Sequence, residues 1–206
     1  MKTPATILLA IPLAASIIHV PTQNLLQKAI DPNPGLHSYV AAASLAAELH
    51  AVVPLRKTFA GTDYYLRPNQ KIVFDDVPGP LRRFRALAST VPTYQEVRAD
   101  YTATPLSDDG TVSRYSLVPV KPDRRVSGLE LTIDDRTALI TRAVWSYTDG
   151  GRLSFDQKYV PVGAFRLPRE ETISARFPGY NVDGTLTFSD YRLDTAIPPA
   201  IFASAP

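Results

Sequence analysis

Three histidines, His19, His37 and His50, are the residues of this 206-residue chain best suited to move a proton near neutral pH or to ligate a transition metal. Their positions argue against both roles. His19 follows an apolar N-terminal run, His37 stands beside a turn, and none sits beside a partner that would orient it. A metal site needs several His, Cys or carboxylate ligands, and the chain has no cysteine. The carboxylate pairs Asp75-Asp76, Asp108-Asp109 and Asp134-Asp135 are adjacent in sequence, so their side chains diverge on a strand; beside turns, Asp serves local hydrogen bonding. No nucleophile elbow, phosphate loop or dinucleotide fingerprint is present. The sequence therefore predicts no enzyme, no metal and no cofactor.

Charge points to no polyanion. Twenty-two basic against twenty acidic residues leave a net charge of +2, and the cluster Arg82-Arg83-Phe84-Arg85 is too short for a nucleic-acid stripe. What remains is apolar patterning. From Ala138 to Asp194 the chain alternates with period two between turn clusters at Asp149-Gly150-Gly151, Pro161-Val162-Gly163, Pro178-Gly179 and Asp183-Gly184. Leu153, Phe155 and Tyr159 oppose Arg152, Ser154, Asp156 and Lys158, and Ile173, Ala175 and Phe177 oppose Thr172, Ser174 and Arg176. Each strand thus has one oily face.

Upstream, Thr22 can cap a helix through Ile30, ended by Asp31-Pro32-Asn33-Pro34-Gly35. The Ala-rich stretch after Leu36 favours helix by propensity, although its flanks look like strand. Residues 57–66 and 71–74 form a hairpin about Arg67-Pro68-Asn69. Leu81, Phe84, Leu87 and Ala88 recur at helical spacing between Pro78 and Pro92, which predicts a second short helix. Further strands are expected at 94–103, 112–119 and 127–134.

These elements leave a mismatch in area. Roughly nine to eleven strands of about nine residues make a sheet on the order of 30 Å by 48 Å. Two helices of about eight residues each cover a strip roughly 12 Å by 10 Å. The sheet must curl on itself or leave part of its apolar face to a ligand.

Met1-Lys2 followed by Ile7 to Ala15 has the form of a secretory signal, with small residues at Ala14-Ala15-Ser16. The run is too short for a lasting span, which takes about 20 apolar residues. Ile17 and Ile18 extend it past that cut, so retention as an anchor is the other reading. The expected division is a signal peptide over 1–16 and one domain over 17–206, exported to a periplasm or secreted. Without cysteine there are no disulfides and no lipid-bearing cysteine at the cleavage site.

The order of pieces resembles the LolA-like family of periplasmic lipoprotein carriers: signal, short helix, Leu36-His37-Ser38-Tyr39 opening a long strand, then Gly61-Thr62-Asp63-Tyr64-Tyr65-Leu66-Arg67-Pro68 closing a hairpin. Tyr159 to Pro168, Phe188 to Tyr191 and Phe202 follow in the family's order. The resemblance spans roughly residues 22 to 204. It implies a mainly β fold, an unclosed antiparallel half-barrel with helices across its mouth and an apolar cavity beneath them. It also implies that residues 39–53 are the first long strand, against propensity, and that Arg67 is a latch to the lid helices. A guanidinium with five donors can hold several carbonyls and release them. The sequence departs from the family at Val77 to Ser89 and at its C-terminal end, which puts a triacylated lipoprotein cargo in doubt.

The resulting expectation is a monomeric exported carrier for a lipid or the acyl chains of a lipoprotein, with a membrane-associated donor or acceptor protein as a further partner. Burial alone supplies binding energy, at roughly 0.8 kcal/mol per CH₂. With Arg67 at the mouth, the expected lining is Phe59, Tyr65, Val97, Tyr101, Leu129, Leu131, Trp145, Phe155, Phe177, Val182, Leu186 and Phe188. The alternative is an envelope sensor or interaction module on the same fold, which would show an exposed apolar patch and a protein partner.

Overall fold

The Ala-rich segment is a strand. In the computed structural model, which describes residues 22–50, 54–75, 86–90, 92–121 and 125–203, β1 (Ser38–His50) is paired along both edges. One neighbour is β2 (Leu55–Leu66) and the other is β11 (Tyr180–Leu193). Two long ladders, the one to β11 interrupted only by a bulge at Val40–Ala42, outweigh the helix preference of alanine, which is at most about 0.7 kcal/mol per residue over ordinary residues. Small side chains suit the site: Ala41 and Ala43 are buried on one face while Ala42 and Ala46 stand on the other.

From β2 the chain runs through β3 (Asn69–Phe74) to β4 (Ala86–Thr90). It then enters α2 (Tyr94–Asp100), β5 (Tyr101–Asp108), β6 (Val112–Pro119), β7 (Val126–Asp134), β8 (Leu139–Tyr147), β9 (Arg152–Val162) and β10 (Phe165–Phe177). The result is one eleven-stranded antiparallel sheet in the order β4-β3-β2-β1-β11-β10-β9-β8-β7-β6-β5. β4 and β5 are its two ends and do not pair with each other, so the barrel is unclosed. The fold class is as expected: mainly β, antiparallel, with α1 (Thr22–Ile30), α2 and α3 (Ala200–Ala203) as short additions.

Three expectations need correction. Residues 94–100 are helix rather than strand, because Thr93 and Glu96 form a reciprocal capping box that satisfies the first-turn amides. Residues 86–90 are strand β4 rather than helix, since Lys71 and Ile72 of β3 pair with Ala88 and Leu87; residues 78–85 lie outside those described. Asp183-Gly184 is no turn but the interior of β11, opposite Glu48 and Ala47 of β1. There Arg176 and His50 hold the Asp183 carboxylate, giving a polar residue a place within the strand. The proposed signal, 1–16, also lies outside the described residues.

The core is divided into three parts. Leu26 and Ala29 of α1 and Val97 of α2 pack on Tyr115, Leu117, Leu131, Ile133 and Ala143. Leu36, Tyr39, Ala41, Tyr65 and Leu167 form a second cluster, and Ala43, Ile72, Phe74, Leu186 and Phe188 a third. Each fully buried Leu, Ile or Phe contributes about 1.5–3 kcal/mol by leaving water.

Candidate functional site

Residues directly opposite in adjacent strands share a face, so the ladder register identifies the side on which α1 and α2 lie. One row runs Leu131–Ala143–Phe155–Ile173–Gly184–Ala47 from β7 to β1. A second runs Leu129–Trp145–Leu153–Ala175–Val182–Leu49. Along these two rows the inner face is apolar. Among the described residues α1 packs on β8 and α2 on β5, whereas α3 meets β3 through Lys71 on the opposite face. Between the buried clusters lies a stretch that is only half-buried: Trp145, Leu153, Phe155, Ile173, Ala175, Phe177 and Val182. Trp145 meets Phe155 edge to face at 5.5 Å, and Phe177 tilts against Tyr147 at 5.0 Å.

The residues picked from the sequence fall on or beside this face. Leu131, Leu186 and Phe188 are buried in the clusters, as is Tyr65, which stacks on Tyr39 at 5.1 Å. Phe59 packs on Phe74 at the far side, while Tyr101 and Leu129 pack half-buried against the α1–α2 cluster. Val97 is also there, but it comes from α2 and not from a strand. Trp145, Phe155, Phe177 and Val182 form the half-buried stretch. The face thus separates into residues consumed by packing and residues with surface left over.

Arg67 stands in the β2–β3 turn. Its guanidinium pairs with the Asp31 carboxylate and donates to the Asn33 carbonyl at 3.3 Å. Both partners belong to the loop leaving α1. The same loop is tied to β10 by Asn33, whose side chain donates to the Arg166 carbonyl at 2.8 Å and accepts from the Arg166 amide at 3.0 Å. The end of α1 is therefore fastened from two sides.

The sequence reading missed a polar belt across the inner face. Asp63, with no exposed surface, accepts from the Tyr39 hydroxyl at 2.9 Å and from Gln70 Nε2 at 3.1 Å. Gln70 also donates to the Tyr39 hydroxyl at 3.2 Å. Across the sheet, Gln157 Nε2 donates to Glu171 at 3.1 Å, and the Tyr159 hydroxyl lies 2.6 Å from Gln157 Oε1. The Tyr191 hydroxyl donates to the Pro168 carbonyl and its ring meets Tyr39 edge to face. Burial pushes the Asp63 carboxyl up to about 6, against the lowering effect of its two hydrogen bonds. Burial and then the Asp63 charge push Glu171 up to about 7. Burial likewise raises the Tyr39, Tyr159 and Tyr191 hydroxyls. A signal was available in the strand phase: Asp63 falls in step with Phe59 and Tyr65, and Glu171 in step with Ile173 and Phe177.

Two depressions, of about 430 Å³ and 390 Å³, lie instead on the outer face, one about Val40, Ala42, Thr62 and Arg192 and one about Ala46, Glu48, Thr58 and Thr185. Both are shallow and open. Among the described residues the inner face carries the half-buried apolar stretch between the clusters. Among the described residues no group of His, Cys, Asp or Glu is placed to hold a metal ion, and no helix is long and apolar enough to cross a membrane. Asp108, Asp109 and Asp134 close turns with Gly110, Thr111 and Thr137.

No family model matches the chain, and no curated protein matches it. Solved structures do. A LolA superfamily protein from Nitrosomonas europaea aligns with a TM-score of 0.60 at 12% identity, over 87% of this chain and 96% of that one. A domain assigned to outer membrane lipoprotein sorting in Vibrio parahaemolyticus gives 0.61 at 11% identity, over 87% and 95%. A DUF1329 family protein from Desulfovibrio piger gives 0.53 at 10%, over 87% and 95%. The chain has the LolA-like fold, in a sequence far from those proteins.

Proposed function

We propose that this protein is an exported, non-enzymatic carrier that shields an acyl chain or similar amphiphile on the inner face of its open sheet, in lipid transport or lipoprotein localisation. The observation that carries the reading is the half-buried stretch Trp145, Leu153, Phe155, Ile173, Ala175, Phe177 and Val182, which packs against the filled cores at Trp145 and Ile173 and keeps apolar surface exposed between them. An apolar surface of that kind, flanked by short helices, suits a chain-like guest. The likeness to a lipoprotein-sorting domain adds support through the fold alone. Arg67 would act as the latch by holding the end of α1 until a guest enters, and the periplasm is the compartment that fits.

The test is mass spectrometry of an organic extract of the purified mature protein, followed by exposure to vesicles of bacterial phospholipid. Co-purifying or captured lipid is the expected result. Protein that emerges lipid-free and takes up none when offered overturns the reading.

One observation favours the interaction-module reading instead. Leu106, Val118 and Val120 are exposed at the β5–β6 end of the sheet, where β5 is, among the described residues, an unpaired edge open to an added strand. A stoichiometric protein partner lost on replacing Val118 by Lys would support it.

A further inference from the structure

Asp63 and Glu171 sit in the inner face on β2 and β10, separated by β1 and β11. Among the described residues every hydrogen-bond partner of either carboxylate is neutral: Tyr39 and Gln70 for Asp63, Gln157 for Glu171. Asp63 is fully buried and Glu171 half-buried, and carboxylates so placed are ordinarily matched by a cation, because an ion in a poorly hydrated site is expensive. Among the described residues the surrounding elements supply none. β1 and β11 present Tyr39 and Tyr191, β3 presents Gln70, and β9 presents Gln157 and Tyr159. Arg67, beyond the end of β2, is turned to Asp31 and Asn33. Lys71, beside Gln70, faces the other way and donates to the Ile201 carbonyl at 2.9 Å. Lys158 is engaged with Glu170 on the outer face.

We propose that Asp63 and Glu171 are a proton-operated element of the inner face: protonation of the pair tightens the sheet and completes its apolar surface, and ionisation loosens the one and charges the other. The effect on guest binding rests on the carrier reading; the effect on the fold does not. The two carboxyls feel one another across β1 and β11, so protons leave in two coupled steps that belong to the pair. Their folded values, about 6 and about 7, lie above the ordinary carboxylate range. Between roughly pH 4 and pH 7 the folded protein therefore binds more protons than the unfolded chain. Stability from this source is complete below the unfolded carboxylate values and is lost as pH rises through 6 and 7. An exported carrier placed between compartments or surfaces of different acidity would hold an apolar guest more firmly on the acidic side.

The experiment is a titration of the full-length mature protein with ¹³C-labelled carboxyls, with melting temperatures across pH 5 to 8 for wild type, Asp63→Asn and Glu171→Gln. Two carboxyl resonances with midpoints above about 5.5, and a wild-type melting temperature that falls on the order of 10 °C from pH 5 to pH 8, are expected. Glu171→Gln should flatten that fall. Carboxyls that all titrate near 4, or a Glu171→Gln profile parallel to wild type, overturn the proposal; the wild-type titration decides the matter even where a variant does not fold. N-phenyl-1-naphthylamine, offered at pH 5.5 and pH 8, then separates the readings. Tighter binding at pH 5.5 whose dependence on pH shrinks in Glu171→Gln supports both. Binding at neither pH with intact titrations sinks the carrier and the guest-binding half of the element, leaving its effect on the fold.

Discussion

Arg67 and Asp31 join the turn after β2 to the first residue past α1, and through them the far side of the sheet holds the helix that covers β8. Both side chains are about one third exposed, at 34% and 28%. A pair so placed is worth no more than about 1 kcal/mol to the whole fold. Its leverage is local. Arg67→Leu should leave the melting temperature almost unchanged while amide exchange over residues 26–30 quickens, because one of the two ties on the loop is gone and Asn33 remains. Equal protection in wild type and variant would remove Arg67 from any latch.

Gly61 answers to a different constraint. A Cβ there would lie 2.3 Å from the Val73 carbonyl oxygen and 2.9 Å from Cα of Phe74, so backbone must move to admit it. Phe74 is buried in the third cluster and cannot retreat cheaply. Gly61→Ala should destabilise the protein by about 1–3 kcal/mol in denaturant unfolding, as overpacking does. A neutral outcome would mean that β3 slides freely on β2.

Where the sequence could be read, it was read through strand phase. The β8–β11 meander, the β2–β3 hairpin and α1 follow from period-two or helical spacing between turn residues, and the inner-facing aromatics follow with them. β1 could not be obtained that way. Its alanines favour helix locally, and only long-range pairing on both edges decides otherwise. Tyr94, Val97 and Tyr101 misled in the opposite sense, being strand formers, although Thr93 and Glu96 carried the helix signal at capping-box spacing. Asp63 and Glu171 were invisible as a pair because strands 2 and 10 are brought close only by the return of β11 to β1.

The capping box itself is testable. Thr93 Oγ1 accepts from the Glu96 amide at 3.2 Å and the Thr93 amide donates to Glu96 Oε2 at 2.6 Å. Thr93→Ala should cost about 1 kcal/mol. The backbone and side-chain hydrogen bonds from Thr93 hold the Glu96 carboxyl below its ordinary value. The Glu96 contribution is therefore present above the unfolded glutamate range and is lost as pH falls through the folded value, opposite in sign to the Glu171 effect. Proteins differing only at Glu96→Gln should accordingly converge in melting temperature at acid pH; a constant gap down to pH 3 contradicts the assignment.

Trp145 offers the most direct view of the inner face, since it is the chain's one tryptophan and stands in the row Leu129–Trp145–Leu153 with Phe155 against its ring. Its indole is half-buried, so its emission reports how much water reaches the stretch between the filled cores. An acyl chain laid along that row would displace this water and shift the emission to shorter wavelength, saturating at one equivalent. Phe177→Ala removes an aromatic at the opposite side of the stretch without touching the α1–α2 cluster. If each Å² of apolar contact is worth about 25 cal/mol, losing even 40 Å² of it to the guest weakens binding by about fivefold. The measurement is a fluorescence titration with a medium-chain fatty acid. A wild-type protein whose emission does not move, or a Phe177→Ala variant that binds as tightly as wild type, would place the guest elsewhere than on this face.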